Sequence, residues 1–115
     1  MAIERIKVSS RMSQAVVHGN TVYLAGQVAD DTSADVAGQT RQILGKIDDL
    51  LAAAGTDKSK ILSANVWLAD ISTFNQMNEV WDAWVTPGQP PARACVESKL
   101  AGPQYTVEIM VVAAR

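Results

Sequence analysis

The sequence predicts an α+β domain in which helices pack on one face of a sheet. Three observations predict it: one long helical period through the middle of the chain, short runs of β-formers on both sides of it, and turn residues between successive runs. With 115 residues, 48% hydrophobic and 19% charged, a single domain over 1–115 is expected, because a chain of this length buries well over half of its unfolded surface.

A first strand is expected at Ile3 to Val8. Val16-Val17-His18 and Thr21-Val22-Tyr23-Leu24-Ala25 follow, and the Gly19-Asn20 pair between them signals a two-residue hairpin. His18 beside that turn reads as a solvated strand-end residue, since it is the one histidine of the chain.

From about Ser33 to Ala54, Val36, Thr40, Ile43, Leu44, Ile47, Leu50, Leu51 and Ala54 recur at the three-and-four spacing of one helix face. Thr32 with Asp35 is expected to cap its start, and Gly55 supplies the left-handed residue that ends it. Asp35, Gln39, Arg41, Lys46 and Asp49 fall on the other face and are expected in solvent.

Ile61 to Ala69 reads as a strand broken by Asp70. Ile71-Ser72 opens a second helix with apolar positions Phe74, Met77, Val80, Trp81 and Trp84, a stripe expected in the core or at a subunit interface. Thr86-Pro87-Gly88 stops it. Two strands follow, Arg93 to Leu100 and Tyr105 to Ala113, joined at Ala101-Gly102-Pro103. The last is nearly all apolar around Glu108 and is expected to be covered on both faces. Helices cover one sheet face, so further copies of the chain are the natural cover for the other.

Composition excludes several function classes. A formal net charge of −2 provides no basic field for nucleic acid or an anionic membrane. No apolar run approaches the length of a membrane span, and the opening Met1-Ala2-Ile3-Glu4-Arg5-Ile6 lacks the pattern of an export signal. Cys95 is the one cysteine, so a reducing cytoplasm is the simplest home, and with His18 it makes no closed zinc site. Gly-x-Gly-x-x-Gly, phosphate-loop and Gly-x-Ser-x-Gly motifs are all missing.

The residues that could carry chemistry gather near the end. Arg93 follows the stiff Pro87-Gly88-Gln89-Pro90-Pro91 loop and presents a fork matched to a carboxylate, or else makes a surface ion pair. Cys95 shares a sheet face with Arg93 by alternation and is either a buried inert thiol or part of the same pocket wall. Glu108, amid apolar neighbours, is expected either to pair with a cation or to have a raised pKa.

Pro91-Ala92-Arg93-Ala94-Cys95-Val96, then Lys99 and Ala101, then Val107-Glu108-Ile109, resembles the C-terminal signature of the YjgF/RidA family. The likeness continues in Gly19-Asn20-Thr21-Val22-Tyr23-Leu24-Ala25-Gly26-Gln27-Val28, in the helix ending Ala54-Gly55, and in Met77-Asn78 with Trp81, so it spans essentially the whole chain. The resemblance implies a chorismate-mutase-like, mixed-sheet subunit with two helices on one face. It further implies a homotrimer with clefts at its subunit boundaries, and cofactor-free hydrolysis of 2-imino or 2-enamino acids to 2-oxo acids and ammonia.

Carried onto this sequence, the resemblance has Arg93 bind the substrate carboxylate and Gly26 offer its backbone amide to it. Cys95 contributes pocket wall and a backbone carbonyl that orients imine or water. Asn78 holds the neighbouring loop or the ligand, and Trp81 and Trp84 lend support. The chain departs from the family pattern at three pocket positions: Met12 replaces a tyrosine, Ala25 a serine or threonine, and Met110 a water-positioning glutamate. Glu108 shares a strand face with Met110 and stands either as the replacement base or as half of a structural pair. The rival expectation is a trimer that binds a small carboxylate without turning it over. A stress-responsive holdase is a third, for which no residue speaks.

Overall fold

The computed structural model describes residues 2–115, which form six strands and two α-helices. The order is β1 (Ile3–Val8), β2 (Ser13–His18), β3 (Thr21–Leu24), α1 (Val36–Ala53), β4 (Ile61–Leu68), α2 (Phe74–Trp84), β5 (Ala92–Glu97) and β6 (Val107–Ala114). The strands make one sheet in the order β1-β2-β3-β6-β4-β5. Only β4 and β5 run parallel, with α2 as the crossover between them, so the sheet is mixed as expected.

Gly19 takes a positive φ of 61° at the β2–β3 turn, a conformation glycine adopts without Cβ strain. Asp35 caps α1 by itself: its carboxylate accepts from Gly38 N at 2.9 Å. Thr32 does not share that role; its carbonyl accepts from Gln39 Nε2 instead. At the other end Gly55 has φ 82° and donates to Ala52 O, while Thr56 donates to Leu51 O, which satisfies the last carbonyls of the helix.

Gln39 corrects the sequence reading. It is fully buried rather than solvated, donating through Nε2 to the carbonyls of Thr32, Ala34 and Gln104 and accepting from Thr106 N at 3.0 Å. A buried amide must find such partners, and here they tie α1 to the approach of β6.

The core lies between the helices and one sheet face. Ile43, Leu44, Ile47 and Leu51 of α1 meet Val22, Leu24, Val66, Leu68, Val107, Ile109 and Val111, with Met77 and Trp81 from α2. Strand β6 alternates strictly: Val107, Ile109, Val111 and Ala113 are buried, while Glu108, Met110, Val112 and Ala114 on the other face are half-exposed. One chain therefore covers one face of β6, and the other is the face for which further copies of the chain are the expected cover. Tyr23, opposite Val112, is 49% exposed and Val96 at the β5 edge 50%, so apolar side chains lie open beyond the helix-covered core. No helix among the described residues is long and apolar enough to cross a membrane.

Candidate functional site

Strand β5 carries Arg93 opposite Ala64 and Cys95 opposite Val66 in the parallel ladder with β4. Ala64 and Val66 are buried beneath the helices, and paired residues on adjacent strands share a face, so Arg93 and Cys95 point to the helix side. There the Arg93 guanidinium meets α2. Its Nη1 donates to Asn78 Oδ1 at 2.8 Å and lies 3.8 Å from Met77 Sδ. Its central carbon sits 5.0 Å from the ring centre of Trp81 and 5.9 Å from that of Phe74. Arg93 is half-buried, and no carboxylate among the described residues pairs with it.

Cys95 packs against the core edge. Burial pushes its thiol up from the ordinary value, and the nearby Arg93 pulls it part of the way back. Such a thiol is neutral near pH 7, and His18, the one histidine, lies on β2 at the far side of the sheet.

Glu108 and Met110 face the other way. They pair with Trp67 and Asn65 of β4, on the face free of helices. Gly26 lies just after β3, and the Glu108 carboxylate rests on it: a carbon added at Gly26 would overlap Oε2 and come within 3.1 Å of Cδ. The amides flanking Gly26 are engaged, Ala25 N on Gln14 O and Gln27 N on Ile109 O, whereas the Gly26 N–H has no main-chain acceptor among the described residues. Neither ion pair among the described residues, Lys46–Asp30 or Arg115–Glu4, includes Glu108, so the cation pair, one of the two expected alternatives, is not made among them. Met12 sits exposed on the turn between β1 and β2, where its N–H donates to Ser9 Oγ.

One chain therefore brings the named residues together as two half-sites. Arg93, Cys95 and Asn78 form one on the helix side of β5; Gly26 and Glu108, with Met110 and the adjoining Ala25, form the other on the open face. Two strand steps of about 4.8 Å and the thickness of the sheet separate them. Trp81 and Phe74, on the stripe expected in the core or at a subunit interface, touch the guanidinium directly. Their spacing with Met77 and Asn78 on α2 was visible, but nothing local says that β5 runs beneath that stripe. A groove of about 610 Å³ lies elsewhere, between α1 and α2 beside Arg41, Asp48, Lys58 and Trp84. Among the described residues no cluster of three or more histidine, cysteine or carboxylate side chains could hold a metal ion.

Fold and site define a small α+β domain with an arginine anchored at the edge of a mixed sheet. The family model described as Endoribonuclease L-PSP matches residues 2–115, and the chain belongs to that family, which includes the YjgF and Rid proteins. A RutC family protein of Haemophilus influenzae is 47% identical over 114 residues, covering 98% of each chain. A rat protein named 2-iminobutanoate/2-iminopropanoate deaminase is 33% identical over 107 residues, covering 88% of this chain and 77% of its own. Among solved structures, a YjgF family protein of Neisseria meningitidis superposes with a TM-score of 0.97 at 41% identity, covering 100% of this chain and 96% of its own.

Proposed function

We propose that the chain hydrolyses reactive 2-imino and 2-enamino acids to 2-oxo acids and ammonia, as a homotrimer of single-domain subunits in the cytoplasm, with the substrate carboxylate bound by Arg93. The observation that supports this most is the Arg93 guanidinium: fixed by Asn78 and two aromatic rings, half-buried, and without a carboxylate of its own chain. The rat relative's name gives the reaction class. The separation of the half-sites favours a cleft between subunits, in which one copy supplies Arg93 and Cys95 and its neighbour supplies Gly26 and Glu108. The open apolar face around Tyr23 and Val112 is a surface through which copies can associate.

In this site Arg93 and the unengaged Gly26 N–H hold the carboxylate, and the Cys95 carbonyl orients the imine or the water. Water adds to the carbon of the protonated imine; a C–O bond forms, and Glu108 takes the released proton. Glu108 returns that proton to the nitrogen of the resulting carbinolamine. The C–N bond then breaks with its electron pair on nitrogen, ammonia leaves, and the hydroxyl proton passes to Glu108 as the C=O group forms. Enamine substrates first gain a proton at C3. Ala25 and Met110 add apolar wall and no acid or base.

The test is a coupled assay in which an amino-acid oxidase generates the imino acid and ammonia release is followed. Turnover above the uncatalysed rate, abolished in Arg93→Ala and raised in Met110→Glu, supports the proposal; a rate equal to the uncatalysed one for several imino acids defeats it. A second reading, a trimer that binds small carboxylates without turnover, is favoured by one observation: Ala25 and Met110 bring no polar side chain to the Glu108 half-site. It requires saturable 2-oxo acid binding by calorimetry together with no catalysis.

A further inference from the structure

We infer that Asn78, Trp81 and Phe74 are positioning residues that fix the Arg93 guanidinium so that its Nε–Nη2 edge is the one offered to a planar carboxylate. The inference rests on the carboxylate-binding reading above and adds which atoms bind and what holds them.

A guanidinium has five N–H donors in one plane and can fork a carboxylate along either of two kinds of edge, side-on through Nε and one Nη or end-on through both Nη atoms. In Arg93 the Nη1 group is turned into α2, donating to Asn78 Oδ1 at 2.8 Å and lying 3.8 Å from Met77 Sδ. One of the two nitrogens of the end-on edge is thereby engaged by α2. Nε and Nη2 make no hydrogen bond among the described residues, so the side-on edge keeps its donors.

The rings of Trp81 and Phe74, 5.0 and 5.9 Å from the guanidinium carbon, restrict the remaining freedom, which is rotation of the plane. Phe74, Met77, Asn78 and Trp81 stand at i, i+3, i+4 and i+7, one stripe over two turns of α2, so a single rigid element supplies every contact. Trp81 is itself held: it is 5% exposed and its ring lies 5.4 Å from that of Trp84. An arginine fixed in this way loses little further freedom when it binds. The contrasting role is purely structural, with Arg93 serving to pin the edge strand β5 to α2. In that case changes at Asn78 and Trp81 alter stability but leave ligand affinity alone.

Calorimetric titration with 2-oxobutanoate, beside imino-acid turnover in the coupled assay, separates the two roles. Asn78→Ala is expected to weaken binding roughly five- to tenfold. Trp81→Leu is expected to weaken it about tenfold or more, and Trp81→Phe, which keeps an aromatic face, to recover most of that loss. Arg93→Lys, with no fork, binds worst. Trp81 is buried and its leucine variant can fail to fold, so the Arg93 Nε–H NMR resonance provides a second readout: it shifts when 2-oxobutanoate is added to the unaltered protein. Wild-type affinity and KM in folded Asn78→Ala, or a bound oxo acid that leaves the Nε–H resonance unmoved, overturns the inference. Binding that follows this series without any turnover overturns the deaminase reading and leaves the inference standing. Turnover whose KM ignores the series does the reverse, and neither binding nor turnover removes both.

Discussion

The Glu108 carboxylate rests against the α-carbon of Gly26, so closely that no side chain fits at position 26 while Glu108 keeps its place. The family resemblance implies that glycine stands there to let a ligand approach the main chain; the structure adds that it makes room for the carboxylate proposed to handle the proton. The obstructing atom is the far end of a flexible side chain, so the conflict can be relieved by turning Glu108 away. Gly26→Ala is expected to cost about 1 kcal/mol of stability in the natural background and close to zero beside Glu108→Ala. Turnover should fall about tenfold or more in Gly26→Ala, because the proton carrier is displaced. Chemical denaturation of the double-mutant cycle, with ammonia release alongside, checks both statements.

Gln39 makes four hydrogen bonds in a fully buried position, joining the start of α1 to Gln104 and Thr106. Gln39→Leu keeps the volume but leaves three carbonyls and one N–H with a partner removed. A loss of about 3 kcal/mol or more in unfolding free energy is expected, well beyond a typical surface substitution. Urea denaturation measures it, and a change below half that size would mean water replaces the amide.

Asp35 is the sole side-chain cap of α1, through its 2.9 Å bond from Gly38 N. Asp35→Ala should lower stability by about 1 kcal/mol, and Asp35→Ser should recover most of it. Thr32→Ala, by contrast, should change stability little, because the Thr32 contribution is its main-chain carbonyl. Thermal unfolding of the three variants distinguishes the Asp35 cap from a shared one.

Burial raises the Cys95 thiol above its ordinary value despite the pull of Arg93. An unfolded cysteine loses its proton near about pH 8.5, so above that pH the unfolded chain binds fewer protons than the folded one and stability declines as pH rises. Below it the thiol is neutral in both states and this contribution is constant. Cys95→Ala is expected to remove this part of the alkaline decline and to retain turnover within about tenfold, because a neutral thiol without a neighbouring base is no nucleophile. Stability measured between pH 7 and 10, with turnover of the same variant, tests both.

The fold was legible because its signals are local. The α1 stripe from Val36 to Leu51, the Gly19-Asn20 turn and Gly55 each act through their own neighbours, and the elements fall within a few residues of where they were expected. The misses depend on distant partners. Gln39 looks polar and therefore solvated until Gln104 and Thr106 arrive from the far end of the chain. Cys95 was rightly placed on the face of Arg93, but no local pattern says which strands flank β5 or which face α2 covers. The guanidinium contacts of Trp81 and the opposite orientation of Glu108 follow only from the strand order β3-β6-β4-β5. Glycine at position 26 was noticed from sequence, and its contact with Glu108 was not, because 81 residues of chain lie between them.

The central claim is that each site is built from two copies, with Arg93 from one and Glu108 from its neighbour. Subunit exchange between Arg93→Ala and Glu108→Ala proteins, each inactive alone, tests it most directly by ammonia release. In a trimer, every mixed assembly of an equal mixture contains one intact pair, so about one quarter of wild-type activity should return. Activity that stays at the level of the separate variants after exchange is shown to be complete would contradict a site shared between subunits.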